Sequence, residues 1–197
     1  MQTSNFSIAK STLVGEWSSV LEKLPFFTCD DYDLKNAITG VALKSESGNI
    51  NDLLRSKDPE NPEDYSLTAL YEHPTIKNLV DSFKLETTRI RIFKQEPNKF
   101  TSLHVDYNNT NAKKEEFLIR IWTALNEDES FEYYFQENGI STKLLLKKGQ
   151  SVIFNPDKVY HGAYNKSTYK TRYSLNIIAK PNNWLKNFIN KEETIVI

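Results

Sequence analysis

The apolar positions of the chain follow two periods, and the change falls near residue 85. Before it, residues 15–24 place apolar side chains at helical spacing and run into Pro25, which predicts a short helix stopped there. Residues 37–43 predict a strand. Residues 45–65 are polar and carry Gly48, Pro59 and Pro62, so they read as a loop or lid with one helical turn over 50–55. His73-Pro74 precedes Ile76, Leu79, Val80 and Phe83, spaced three and four apart, which predicts an amphipathic helix with His73 at its start.

Beyond residue 85 the pattern alternates. Strands are predicted over 88–95, 117–125, 130–136, 140–146, 151–154, 159–164 and 171–179, with His104 at the end of another. Asn138-Gly139 is a strong hairpin signal, and Lys148-Gly149 marks a second turn. Six to eight short strands with turns between them predict a sandwich or barrel-like jelly roll. A closing helix is predicted over 184–189. The chain reads as one domain: an N-terminal helix and strand elaboration over 1–85, a strand core over 86–180, and a closing segment over 181–197.

Composition narrows this picture. The 197 residues suit one domain with a full core, and 11 Phe and 10 Tyr favour a β-rich one. The formal net charge of −1 gives no footprint for nucleic acid or an anionic membrane surface. A single cysteine, Cys29, excludes an internal disulfide framework. The N-terminus lacks a basic region followed by an apolar stretch, and no apolar run reaches the ~18 residues of a membrane span. A reducing, cytoplasmic setting is expected, with no membrane and no nucleic acid partner.

The candidate chemistry rests on the few histidines. His104 and Asp106 are two apart at a strand end, so both side chains can face one point while Val105 faces away. An imidazole and a carboxylate are two of the three ligands of a facial triad, which leaves metal positions open. His161 supplies the third, after a strand and turn that aim it inward. Alone, His-X-Asp is weak evidence, since it also fits a strand-rim histidine and a turn-forming aspartate. Arg172 follows eleven residues after His161 and alone also fits a surface strand arginine. Arg120, between Ile119 and Ile121, faces either a barrel interior or water. Arg89 and Arg91 read as a solvated strand face, and Asp30, Asp31 and Asp33 as a polar turn. The aromatic run Phe131, Tyr133, Tyr134 and Phe135 reads as core and sheet cover, with Tyr107 and Asn165 as supports beside the ligands.

Taken together, His104-Val105-Asp106, the stretch from Gly149 to His161, and Arg172 resemble the 2-oxoglutarate and iron(II) dependent oxygenases. The likeness covers roughly residues 85 to 180. It leans toward the aspartyl/asparaginyl β-hydroxylase-like branch, which includes hydroxylases of free proline, because residues 118–125 look like that branch's arginine-bearing early strand. That group often has a histidine two residues after the arginine, where this chain has Trp122. The resemblance implies a double-stranded β-helix, a cupin-like jelly roll with flanking helices. It implies Fe(II) held by His104, Asp106 and His161, and 2-oxoglutarate chelating the iron, its far carboxylate on Arg172 with help from Arg120. It further implies O2 as co-substrate, release of succinate and CO2, and hydroxylation of a small molecule, foremost an amino acid, or of a peptidyl residue. The alternatives are a cupin-like metalloenzyme that does not use 2-oxoglutarate and a non-catalytic jelly-roll binding module.

Overall fold

Alternating inward and outward residues build two facing sheets in the computed structural model, which describes residues 6–10, 17–31, 36–54, 61–106, 118–183 and 195–196. In chain order the elements are β1 (Phe6–Lys10), α1 (Trp17–Lys23), β2 (Phe27–Asp31), β3 (Asn36–Ser45), β4 (Ser66–Leu67), α2 (Pro74–Ser82), β5 (Thr87–Gln95), β6 (Phe100–His104), β7 (Ile119–Ala124), β8 (Phe131–Glu137), β9 (Ile140–Leu144), β10 (Gln150–Phe154), β11 (Tyr160–Asn165), β12 (Arg172–Ala179) and β13 (Ile195–Val196). The large sheet runs β13-β1-β10-β7-β12-β5-β3-β2, with β4 beside β3, and the small sheet runs β6-β11-β8-β9.

Strands β5 to β12 form the core. Four of them, in the order β10-β7-β12-β5, face the four of the small sheet. Every pairing among these eight is antiparallel, and the chain passes repeatedly from one sheet to the other. This is the double-stranded β-helix, or jelly roll. The β8–β9 hairpin turns at Asn138 (φ 51°) and Gly139 (φ 77°), the left-handed pair that a tight two-residue hairpin requires.

Two apolar layers hold the fold. One face of the large sheet packs Val41, Leu43, Ile90, Ile92, Ile121 and Ile177 against the helices. The helices answer with Trp17 and Leu21 from α1 and with Ile76, Leu79 and Val80 from α2. Each such fully buried aliphatic side chain stabilises by about 1.5–3 kcal/mol. The other layer lies between the sheets and is aromatic: Trp122, Phe154, Tyr133 and Phe135 with Val152, Val159 and Ala163. His73 stands at the N-cap of α2, with Pro74 in the first turn.

Two expectations need correction. Arg89 and Arg91 are not on a solvated face. Both are buried, because Ile90 and Ile92 take the helix side of β5 and alternation turns the arginines toward the small sheet. Asp30 and Asp31 lie in β2 rather than in a polar turn. The segment before residue 85 supplies strands to the large sheet itself, β2 and β3 beyond β5 and β1 beyond β10. Asp33, Tyr107, the last residue of the turn expected over 50–55 and the helix expected over 184–189 lie outside the described residues. Among the described residues, no helix is long and apolar enough to cross a membrane.

Candidate metal centre

His104 closes β6 and His161 lies near the start of β11, directly opposite it in register. Their rings sit 4.4 Å apart, centre to centre. Such closeness needs β11 to approach β6, and Gly162 permits it. A Cβ there would lie 2.9 Å from the Thr101 carbonyl oxygen and 3.2 Å from Leu103 backbone atoms. The strand ends at His104, so Asp106 reaches the site from the loop that follows. Its N–H donates to the Pro156 carbonyl at 2.8 Å, which fixes the loop.

The three side chains converge: one ligand atom from each of His104, Asp106 and His161 lies within 4.8 Å of the others. Asp106 Oδ1 is 3.3 Å from His104 Nε2 and 3.7 Å from His161 Nε2. The other ring nitrogens are tied back to the main chain. His104 Nδ1 is 2.7 Å from the Ser102 carbonyl, and His161 Nδ1 is 2.9 Å from the Val159 carbonyl. A carbonyl only accepts, so each Nδ1 carries the proton, and each Nε2 lone pair points at the shared space.

Arg120, inward on β7, contacts two of the three. Its Nη2 pairs with Asp106 Oδ2, and its Nη1 is 3.2 Å from His161 Nε2. Burial alone would raise the Asp106 carboxyl. The Arg120 charge outweighs it and holds Asp106 ionised well below the usual carboxylate range. His161, fully buried, is pulled down to about 3, first by desolvation and then by the Arg120 charge, so its imidazole is neutral at pH 7. Two neutral imidazoles and one ionised carboxylate suit a divalent first-row ion and leave further coordination positions open.

A second feature lies deeper between the sheets. Ring contacts lead from His161 to Trp122 (5.3 Å between centroids) and from Trp122 to Tyr133 (5.9 Å). The Arg172 guanidinium lies 4.6 Å above the Tyr133 ring centre. Arg172 is only 5% exposed, and among the described residues its side chain makes one long hydrogen bond, 3.4 Å, to the Glu132 carbonyl. The Glu132 carboxylate is engaged by Lys143, Lys166 and Tyr134 instead. Among the described residues, Arg172 Nε, the Tyr133 hydroxyl, the Trp122 indole nitrogen and both amide atoms of Asn176 are buried and have no hydrogen-bond partner. Buried polar groups are rarely left so, and a cluster of them marks a place for a ligand or ordered water.

The structure thus brings His104, Asp106, His161 and Arg120 together and sets Arg172 apart, at the far end of the aromatic run. Asn165 does not support a ligand; its amide donates to the Gln95 and Lys170 carbonyls and holds the turn before β12. Tyr133 and Asn176 were missed as site residues. The signal was present in β12, where Arg172, Ser174 and Asn176 alternate with Tyr173, Leu175 and Ile177, making the inward face polar.

No protein-family model matches the sequence, and no curated protein does either. Solved structures do match in shape. A prolyl-4-hydroxylase from Pseudomonas putida aligns with TM-score 0.56 at 10% identity, covering 91% of this chain and 95% of that one. The non-haem alpha-ketoglutarate-dependent epimerase SnoN of nogalamycin biosynthesis aligns with TM-score 0.55 at 14% identity, over 90% and 77%. An oxidoreductase of the 2OG-Fe(II) oxygenase family from Burkholderia pseudomallei aligns with TM-score 0.52 at 13% identity, over 84% and 77%. At these identities the likeness is one of architecture, and this chain has the double-stranded β-helix fold that 2-oxoglutarate-dependent oxygenases share.

Proposed function

We propose that this chain is a 2-oxoglutarate- and Fe(II)-dependent dioxygenase that hydroxylates a small molecule, foremost an amino acid, or a residue in a peptide. The observation that carries this reading is the presence of a metal-ligand triad and a buried cation in one interior. An open triad of the donor set iron(II) prefers lies at one end of an aromatic run, and a buried guanidinium facing no carboxylate among the described residues lies at the other. A keto acid with a second carboxylate has groups for both. The inward arginine on β7 supports the aspartyl/asparaginyl β-hydroxylase-like branch, with Trp122 replacing that branch's frequent histidine.

The donor set fits iron(II). His104 and His161 would bind it through Nε2, and Asp106 through Oδ1, the oxygen that already faces both imidazoles. Iron with 2-oxoglutarate and O2 supplies the oxidation, consuming the keto acid to succinate and CO2 as a substrate C–H becomes C–OH. The rest belongs to the chain. The Ser102 and Val159 carbonyls orient the imidazoles. Arg172 presents a permanently charged fork, and the Tyr133 hydroxyl a spare donor, to the far carboxylate. Trp122, Phe135 and Phe154 wall the interior and exclude water from it.

The test is an anaerobic titration of metal-free protein with iron(II), then 2-oxoglutarate, watched in the visible. Chelation gives a weak charge-transfer band that neither component shows alone. The band is expected in wild type and absent in His104→Ala. Iron binding without the band would favour a cupin-like metalloenzyme; no iron binding would favour a binding module.

A further inference from the structure

The geometry points to Arg120 as a resident cation of the metal site: its guanidinium holds donor atoms of Asp106 and His161 until a divalent ion displaces it from the imidazole. This rests on the metal-binding reading above.

The argument begins with the tautomer. His161 Nδ1 donates to Val159, so Nε2 has one lone pair, and that lone pair has one use at a time. Here it faces Arg120 Nη1 at 3.2 Å, and an arginine nitrogen can only donate. A metal ion at His161 and an N–H at His161 therefore exclude each other. The second prong grips Asp106 Oδ2. The guanidinium thus satisfies two of the three ligands as an ion would, and a carboxylate buried without an ion is not left uncompensated.

The two prongs are unequal in what a metal demands of them. Oδ1 faces both imidazoles and is the oxygen an ion would take. Oδ2 can stay with Nη2, so only the Nη1 contact to His161 must break. Arg120 would then remain close by as a fixed positive charge. Two consequences follow. Metal affinity is set below what the same triad would give without Arg120, and the site closes on itself when empty. A guanidinium whose role was only to build the triad would have the opposite effect, since its removal would weaken metal binding.

The sign is measurable without turnover. Full-length metal-free wild type, Arg120→Gln, Arg120→Lys and His161→Ala are titrated calorimetrically with Mn(II). Arg120→Gln is expected to bind at least about tenfold more tightly than wild type, about 1.4 kcal/mol. Arg120→Lys should fall between them, because a point charge keeps the repulsion but cannot hold both partners. Stopped-flow absorption with Co(II) gives a second readout. The wild-type rate should level off with metal concentration, limited by departure of the guanidinium, and the Gln variant's rate should rise linearly. Folded Arg120→Gln that binds Mn(II) equally or more weakly overturns the inference and leaves the metal site standing. If the Gln variant fails to fold, a linear wild-type Co(II) rate overturns it. Binding of neither ion by wild type or the folded variants removes the metal reading, and the inference with it.

Discussion

Replacing Arg172 with Met should make the metal-free protein more stable and the ligand-bound protein weaker, an inversion that a structural arginine would not give. Arg172 is 5% exposed, and among the described residues its Nε has no partner and its one hydrogen bond is 3.4 Å long. Burial lowers its pKa, which is the mark of a charge held in an unfavourable place. An unpaired buried charge costs several kcal/mol after relaxation. Against that stand the contact with the Tyr133 ring, worth about 1–2 kcal/mol, and the long hydrogen bond, at most about 1. Met refills most of the stem volume. The balance favours the variant by roughly 1–3 kcal/mol, which for a chain of this size is a rise of roughly 2–10 °C in Tm. With Mn(II) and 2-oxoglutarate the order should reverse. Loss of the paired charge costs about 3–5 kcal/mol of keto-acid binding, so affinity falls roughly 10²- to 10⁴-fold. Wild type at 1,000 times its Kd gains about 4.1 kcal/mol, most of which the variant forgoes. Thermal melts of both proteins, with and without the two ligands, give all four numbers. A variant that melts lower when metal-free and still responds fully to 2-oxoglutarate would refute the reasoning and make Arg172 a structural cation.

Three further outcomes are expected. Gly162→Ala should push β6 from β11 and separate the two imidazoles, destabilising by about 1–3 kcal/mol and weakening Mn(II) binding more than any loss in far-UV circular dichroism accounts for; unchanged metal affinity would show that the strand spacing does not set the site. In acid, the unfolded chain protonates His161 near 6.5 and the folded chain resists until about 3, so stability of the metal-free protein should fall as pH drops through that window, by up to about 1.4 kcal/mol per pH unit; Asp106 adds a fall in the same direction below about pH 4. Urea midpoints at pH 7, 5.5 and 4.5 check this, and His161→Gln should flatten the slope. Arg91→Ala removes a donor 2.5 Å from the Leu53 carbonyl, so the polar segment 46–54 should be cut faster in limited proteolysis, with Tm falling by several degrees; an unchanged cutting rate would mean that other contacts hold that segment.

Much of the core was legible because alternation is a local signal. Strands β5, β7, β8, β9, β10, β11 and β12 fall within two residues of their expected starts. The convergence of three side chains was legible because His104 and Asp106 are neighbours in sequence, and His161 needed only the inference of a facing strand. What escaped needed knowledge of the partner. Strands β1, β2 and β13 carry little pattern of their own and are fixed by the edges they cover. Arg89 and Arg91 looked solvated because charge usually faces water; only the helices packed on Ile90 and Ile92 show that their face of β5 is the inner one. Arg120 was placed near the cofactor, yet its grip on Asp106 and His161 could not be seen from a strand of one sheet without the other.

The pairing of β1 with β10 has a consequence for how the chain comes to its fold. Phe6 aligns with Phe154, so the first strand finds its partner only after roughly 150 further residues have been made, about 7–30 s of synthesis at ordinary rates. During that interval the edge of the nascent sheet stays open. β13 adds to β1 in parallel, so these two strands are laid down last and on the same edge. A topology so rich in distant pairings folds slowly. Refolding from denaturant should therefore show the aromatic interior assembling before β1 and β13 are protected from hydrogen exchange.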